Sequence, residues 1–429
     1  MQKEATWPDY LLTYGVIAVS GVEYFYSSPE FQLLFFLAAA GIAFARQTPL
    51  TARSLSIIII VFIVELLHAL KYNNFVPNSL LSILIRLLLV YLVIHVCGLR
   101  FIRYYIDIIL VSALISLPIY FLTFFPGVEQ FLIQNIANTF FKPPFSVASS
   151  MYEGNPSMIV YTFNQLAEEK FISTIIKRNS GPFWEPGAFA VFMTLALLFN
   201  LQHEKKFSTR RNWLLIFTML TTFSTAGYIT LFMIIVGYVI SSDTVRKSTK
   251  IASLLILLPT VVLVYSQTEF MSGKINKNIS ASKSDNSSRF GSAYFDFVDL
   301  ARSPLIGFGR LSENRFGPLA RLQDFSTHRN NGVTFLLVTY GIPCGLAYFL
   351  GLFLFFRRYS RQFDSPPLFA LFSFLTVLLA GFSQGVFDRA ILISLLFLSD
   401  RLRQLEVMQA SPLAVKIDPQ AVVSPSENY

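Results

Sequence analysis

Twelve apolar stretches dominate the chain, at 10–25, 31–45, 54–70, 79–98, 105–125, 186–201, 213–224, 226–241, 251–266, 333–356, 368–384 and 390–400. A helix needs about 20 apolar residues to cross the hydrocarbon of a bilayer, and somewhat fewer when its flanks snorkel. A bilayer offers the backbone no water, so stretches that cross it must satisfy their own hydrogen bonds as helices. Two stretches are short, 213–224 and 390–400, and the first stretch is interrupted by Gly15 and Gly21. Charged residues make up only 14% of the chain, against roughly 25% in a soluble domain. The sequence therefore predicts an all-α integral membrane protein with about twelve transmembrane helices. A soluble enzyme, a disordered tail protein and a disulfide-stapled secreted domain are excluded.

Basic residues set the expected orientation. One set of connections holds Arg46, Arg53, Arg100, Arg103, Lys205, Lys206, Arg210, Arg211, Arg246, Lys247, Lys250, Arg357, Arg358 and Arg361. Lys3 and the tail residues Arg401, Arg403 and Lys416 fall on the same side, while the opposite short connections hold only Lys71 and Arg389. The positive-inside rule then places both termini in the cytoplasm. The net charge of +9 reflects this topology, and no nucleic-acid partner is expected. The start of the chain, MQKEATWPDY, lacks the basic-then-apolar pattern of a cleavable signal. Cys97 and Cys344 stand far apart in apolar stretches, without the close Cys or His spacing of a metal or redox site.

Two long segments, 126–185 and 267–332, fall outside in this orientation, and neither reads as a domain with its own core. Each holds an amphipathic piece. Leu132, Ile133, Ile136, Ala137, Phe140 and Phe141 form a stripe suited to a helix lying on a membrane surface. Phe290, Ala293, Tyr294, Phe297, Val298 and Ala301 follow the helical period as well. Residues 1–403 thus read as one polytopic domain. Residues 404–429, with Pro412, Pro419 and Pro425, read as a disordered cytoplasmic tail.

Several polar residues are candidates for chemistry. Arg289 follows the capping cluster Asp285-Asn286-Ser287-Ser288 and opens the second amphipathic helix. A guanidinium at a helix N-terminus joins free N–H groups that already favour an anion. The plainer reading is a surface arginine in a long loop. Glu185 precedes Pro186 at the start of the sixth stretch, beside Trp184, with Arg178 seven residues earlier. Glu185 is read as a base or a sugar-hydroxyl acceptor and Arg178 as a second phosphate ligand; an acid at a helix start is also comfortable on electrostatic grounds alone. His328, Arg329, Asn330 and Asn331 stand at the mouth of the tenth stretch, where they bind a sugar, abstract a proton with His328 as the base, or form a hydrated boundary with no role. The segment RSPLIGFGR at 302–310 reads as a Gly/Pro-broken turn. Within the apolar stretches, Glu65 and Arg86 fall at similar depth and are expected to pair, with His68 as a third member. Both are also substrate-binding candidates, as buried ionisable groups are by default.

Three regions together resemble a known family. RNSGPFWEPGAFAVF, TFSTAGYITLF, and SSRFGSAYFDFVDLARSPLIGFG leading to HRNNGVTFLLVTYGIPCG are similar to segments of bacterial O-antigen and capsule polymerases of the Wzy type. Those enzymes share a superfamily of multi-span, GT-C-like glycosyltransferases with the O-antigen ligases. The resemblance covers about 180–345. It implies a reaction on the outer face of the bacterial cytoplasmic membrane. A growing glycan would move from undecaprenyl pyrophosphate to the terminal sugar of the next lipid-linked repeat unit. It implies no metal, no nucleotide sugar and no other cofactor, with arginines stabilising the departing pyrophosphate. A chain-length regulator and a flippase are the protein partners it suggests.

Residue by residue, Arg289 matches the family's arginine opening the second-loop helix, and Arg178 and Glu185 match its Arg-x-x-Gly and Glu-Pro signature. Asn331 precedes Gly341 by ten residues, as the Asn of the ligases' His-Asn motif precedes its Gly. The residue before it is Asn330 and not histidine, and His328 is offset by two. Ser224 is followed by Thr225, where ligases carry arginine. These departures favour a polymerase over a ligase acting on lipid A-core. A flippase ranks third, because few ionisable residues lie inside the apolar stretches.

Overall fold

The computed structural model describes residues 6–26, 28–48, 51–142, 155–164, 168–171, 174–242, 246–248, 250–252, 255, 288–322 and 329–410. The stretch at 251–266 lies almost wholly outside these residues, as do His328 and the capping candidates before Ser288.

The first elements are α1 (Trp7–Gly21), the short α2 (Glu23–Tyr26), α3 (Pro29–Ala45), α4 (Ala52–Tyr72), α5 (Pro77–Cys97) and α6 (Arg100–Leu122). Next comes α7 (Val128–Phe131), continued by a π-helical turn at Leu132–Ala137 and a last turn at Asn138–Phe140. A hairpin of β1 (Glu168–Phe171) and β2 (Thr174–Lys177), antiparallel with Glu168 opposite Lys177, precedes α8 (Pro186–Glu204). Then follow α9 (Arg210–Thr221), α10 (Thr225–Ser241), α11 (Arg289–Arg302), α12 (Ser312–Phe316), α13 (Gly332–Gln362), α14 (Pro367–Ser383) and α15 (Ala390–Ala410). Proline opens α3, α5, α8 and α14, where its missing N–H costs nothing and its fixed φ suits the first turn.

Among the described residues five helices, α4, α5, α6, α8 and α13, are long and apolar enough to cross a membrane. The shorter α3, α10 and α14 are apolar as well. Helix α8 is enclosed on almost every side, whereas α4 is largely exposed along its apolar length. In water that exposure would be unfavourable; against lipid tails it costs nothing. The core is aromatic where α8 meets its neighbours: Phe189, Phe192 and Phe199 pack with Phe183, Tyr105, Phe355, Phe356 and Tyr359.

Several boundaries differ from the sequence expectation. The first stretch is not one helix: Val22 leaves helical geometry and pairs with Phe183, separating α1 from α2. The stretch at 213–224 is α9, only 12 residues long, or about 18 Å. The stretch at 390–400 continues as α15 to Ala410, into the segment read as a tail. The stripe at 132–141 is helical through its π turn. Its Leu132, Ile133, Ile136 and Phe141 pack on a small satellite core of Tyr120, Ala137, Met158, Tyr161 and Phe163.

Helix α13 breaks at Gly341, whose φ of 78° is left-handed, with Pro343 two residues on. Pro343 has no N–H to offer the carbonyl of Thr339, so the ladder must fail here. The segment after α11 repairs it. Phe308 N–H donates to Val338 O (2.9 Å), Gly309 N–H donates to Thr339 O (2.8 Å), and Ile342 N–H donates to Pro304 O (2.8 Å). The Gly/Pro-broken turn is thus a wedge seated in the kink of α13.

Candidate functional site

We call the end of the bundle that carries Tyr72, Pro77, Pro186 and Gly332 the loop end. There α11 is clamped to the start of α13. Ser288 caps α11, its Oγ accepting Gly291 N–H at 3.0 Å, which leaves Arg289 in the first turn. Asn331 caps α13, its Oδ1 accepting Val333 and Thr334 N–H at 3.1 and 3.2 Å. Its Nδ2 donates back to the Arg289 carbonyl at 3.3 Å, and the Arg289 guanidinium donates to the Asn330 carbonyl. Two turns further along α11, buried Asp296 accepts Thr334 Oγ1 at 2.5 Å and Arg315 Nη2 at 2.6 Å. Arg315 also binds Asp299 at 2.6 Å. Arg329 completes this clamp, with Nε 3.7 Å from Asp296 Oδ1 and its guanidinium over the rings of Phe295 and Phe316.

Helix α11 is amphipathic with its polar face inward. Ser292 and Asp296 are buried, whereas Phe290, Tyr294, Phe297 and Val298 are each about half exposed. A polar inner face satisfied by Arg315 and Thr334, with an apolar outer face, is the arrangement of a helix bordering lipid.

Glu185 is the N-cap position of α8, whose first turn closes on the same crossover residue, Gln384, as the start of α13. Burial pushes the Arg289 guanidinium below its ordinary value, and the Glu185 charge opposes that shift. Between them lies the crossover from α14 to α15. A Cβ at Gly187 would strike the Gln384 amide, and one at Gly332 would strike the Gln384 carbonyl, so two helix starts close on this one residue. On the far side of Glu185, the Arg389 guanidinium sits 5.1 Å from the Trp184 ring and 5.2 Å from the Tyr26 ring. Asn155 and Asn164 both donate to the Trp184 carbonyl, at 3.2 and 2.8 Å, which holds the backbone just before Glu185. Carboxylate, amide and aromatic faces of this kind suit a sugar, and the cationic groups suit a phosphate.

Arg178 stands at the same end but is anchored differently. Its Nε donates to the carbonyl of Thr222 at 3.1 Å, beyond the C-terminus of α9, and its charge also acts on Tyr228 of α10. The structure therefore brings Arg289, Glu185, Asn330 and Asn331 together, with Arg178 attached to the neighbouring α9–α10 corner.

The expected Glu65–Arg86 pair is not formed. Glu65 accepts Arg310 Nε at 2.9 Å and the Tyr340 hydroxyl at 3.3 Å. Arg86 donates to the Asp388 carbonyl at 3.1 Å and to Gln32 Oε1 at 3.3 Å. His68 is not the third member either: its Nε2 lies 2.7 Å from the Ile306 carbonyl. The reason is the wedge, which carries Arg310 into hydrogen-bond reach of Glu65. Sequence reasoning also missed Asp296, Arg315 and Gln384. Asp296 had a signal, since it is a lone acid on the inward face of a periodic helix; Gln384 had none.

Among the described residues there is no group of three His, Cys, Asp or Glu side chains placed to hold a metal. The fold and site thus define an all-α protein with membrane-length helices and a cluster of arginine, carboxylate and aromatic groups at one end. A scan against protein-family models, a search of curated proteins and a search of solved structures each find no match.

Proposed function

We propose that this chain is a polysaccharide polymerase of the bacterial cytoplasmic membrane, with about twelve spans, both termini in the cytoplasm and the loop end outside. The observation that carries the reading is that two distant segments, the start of α8 after Glu185 and the start of α13 bonded to Arg289, close on the same Gln384 at one end of the bundle. The motif resemblance across about 180–345 supplies the reaction. A hydroxyl of the acceptor's terminal sugar attacks the anomeric carbon of the donor glycan, and the bond from that carbon to the pyrophosphate oxygen breaks. Glu185 takes the hydroxyl proton, and undecaprenyl pyrophosphate departs with its new negative charge facing Arg289. Arg178 contributes to the same field from the α9–α10 corner. Trp184 and Tyr26 offer faces for sugar rings.

The test uses purified protein in liposomes, given the lipid-linked repeat unit of its own host, with chelator and without nucleotide sugar. A ladder of longer glycans still on the carrier lipid is the expected product. Intact, unextended units would overturn the reading. Supplying lipid A-core would then show whether the chain is a ligase.

A further inference from the structure

A cavity of about 460 Å³ lies between α4, α5, α13 and α15, within the roughly 300–1,000 Å³ typical of ligand sites. None of Arg178, Glu185 and Arg289 lines it. Its wall follows α13 from Tyr340 to Arg358, a rise of about 27 Å at ~1.5 Å per residue, and α4 from Ser56 to Val64, about 12 Å. Along that length the lining is mostly apolar, with Ile57, Ile60, Val61 and Val64 of α4 facing Gly351 and Leu354 of α13. Helix α4 packs on α5 and lightly on α15 and meets α13 through Glu65 and Tyr340, and beyond that contact the slot between α4 and α13 is open among the described residues.

The two ends differ. At one, Arg358 is engaged by Ser399 and Glu406, and Asp400 by Ser54 and Gln404. At the other, part-way along α5, stand Arg86 and, from the wedge, Arg310. Arg86 spends Nε and Nη1 on Gln32 and Asp388, and Arg310 spends Nε and Nη2 on Glu65 and Ser79. Each guanidinium keeps one terminal nitrogen without a hydrogen-bond partner among the described residues. Asp388 also lines this end, with its carboxylate 3.7 Å from Arg389.

We infer that this cavity is a second lipid site, which takes a long single-chain lipid phosphate with its headgroup on Arg86 and Arg310 and its chain along the slot between α4 and α13. Two forked cations at one end of an apolar slot match that chemistry: guanidinium binds phosphate oxygens in pairs, and the slot buries the chain. A free phosphate would leave the apolar length unfilled, and a neutral chain would leave the open terminal nitrogen of each arginine unanswered. Under the polymerase reading, this is the seat of the second lipid-linked partner; that assignment alone rests on the reading, whereas binding itself does not.

Cys344 lines the cavity, and the only other cysteine, Cys97, is buried at 2% exposure, so the natural chain carries its own reporter. Full-length protein in detergent is treated with N-ethylmaleimide, with and without undecaprenyl phosphate, and followed by intact mass; native mass spectrometry counts bound lipid in parallel. At a lipid concentration about ten times its Kd, alkylation of Cys344 should slow about tenfold. Arg86→Gln should remove most of that protection, and Ala347→Trp, which fills the slot, should remove it with the headgroup site intact. Arg289→Ala should leave it unchanged. Inorganic pyrophosphate alone and undecaprenol alone should protect little. Equal protection by undecaprenol would overturn the role of the arginines, and equal protection by phosphatidylglycerol would overturn the single-chain assignment. If Cys344 is inert without lipid, the native spectra decide, and no bound lipid phosphate overturns the site. Protection together with failed glycan extension would retain the lipid site and reject the polymerase.

Discussion

Glu65 and Arg310 lie 245 residues apart in sequence and meet at 2.9 Å, joining α4 to the wedge that fills the kink of α13. Glu65 is 10% exposed and Arg310 21%, so removing one partner leaves the other charge poorly hydrated. Glu65→Ala should cost about 3–5 kcal/mol, the range for breaking a buried pair from one side. The charge swap Glu65→Arg with Arg310→Glu should recover part of that loss in detergent thermal unfolding. A swap of Glu65 with Arg86 should recover nothing, because those two side chains do not bond each other.

The wedge itself yields a second expectation. Gly341 holds a left-handed φ of 78°, and a Cβ there would strike the Leu305 carbonyl. Gly341→Ala should therefore lose at least about 2 kcal/mol, from backbone strain before any repacking is counted. Pro343→Ala should be much milder. It restores an N–H, but the Thr339 carbonyl is already satisfied by Gly309. Thermal unfolding of the two variants side by side checks the difference in sign and size.

Much of this was legible in the sequence, and the rest failed for identifiable reasons. The capped start of α11 at Ser288 could be read from local residue chemistry, as could the helix opening at Pro186 with Glu185 before it. The partners of Glu65 and Arg86 could not. Both depend on segments that fold back over long separations: the wedge at 303–310 and the crossover at 384–389. The π turn at Leu132–Ala137 was invisible because its apolar stripe still satisfies an α-helical spacing. The apolar stripe of α11 could be recognised, but not which way it faced. That depends on Asp296 finding Arg315 and Thr334, whose positions only the tertiary fold sets.

Roles in chemistry and in clamping should separate by mutation. Arg289→Ala should lower glycan extension about 10²–10³-fold, the usual loss when one donor to a developing anion is removed. Arg178→Ala should also abolish extension, with the protein still accumulating in the membrane. Arg315→Ala removes the partner of buried Asp296 and should lower thermal stability by about 3–5 kcal/mol, with any loss of extension following from loosened α11. Arg315→Lys should restore some stability. Arg289→Lys should restore little extension, since a lysine keeps the charge but not the forked geometry. Full extension by Arg289→Ala would remove this arginine from the reaction.

The outward apolar face of α11 predicts where the membrane lies. Phe297 is 56% exposed and Val298 49%, while Ser292 and Asp296 on the same helix are buried, so the helix has exchanged the usual sides of a surface helix in water. Leu305, 72% exposed just beyond α11, extends the apolar surface into the wedge. Facing solvent, these side chains would form an apolar patch of the kind that drives association; facing acyl chains, they anchor the loop end at the hydrocarbon boundary. Phe297→Trp should fold normally, because the side chain touches little protein. In liposomes, in a background with the three native tryptophans replaced, its fluorescence should be strongly quenched by lipids brominated near the headgroup end of the acyl chain and less by those brominated near the terminal methyl. Quenching by aqueous iodide instead, with no effect of brominated lipid, would place α11 in water and detach the arginine-bearing end of the helix from the bilayer surface.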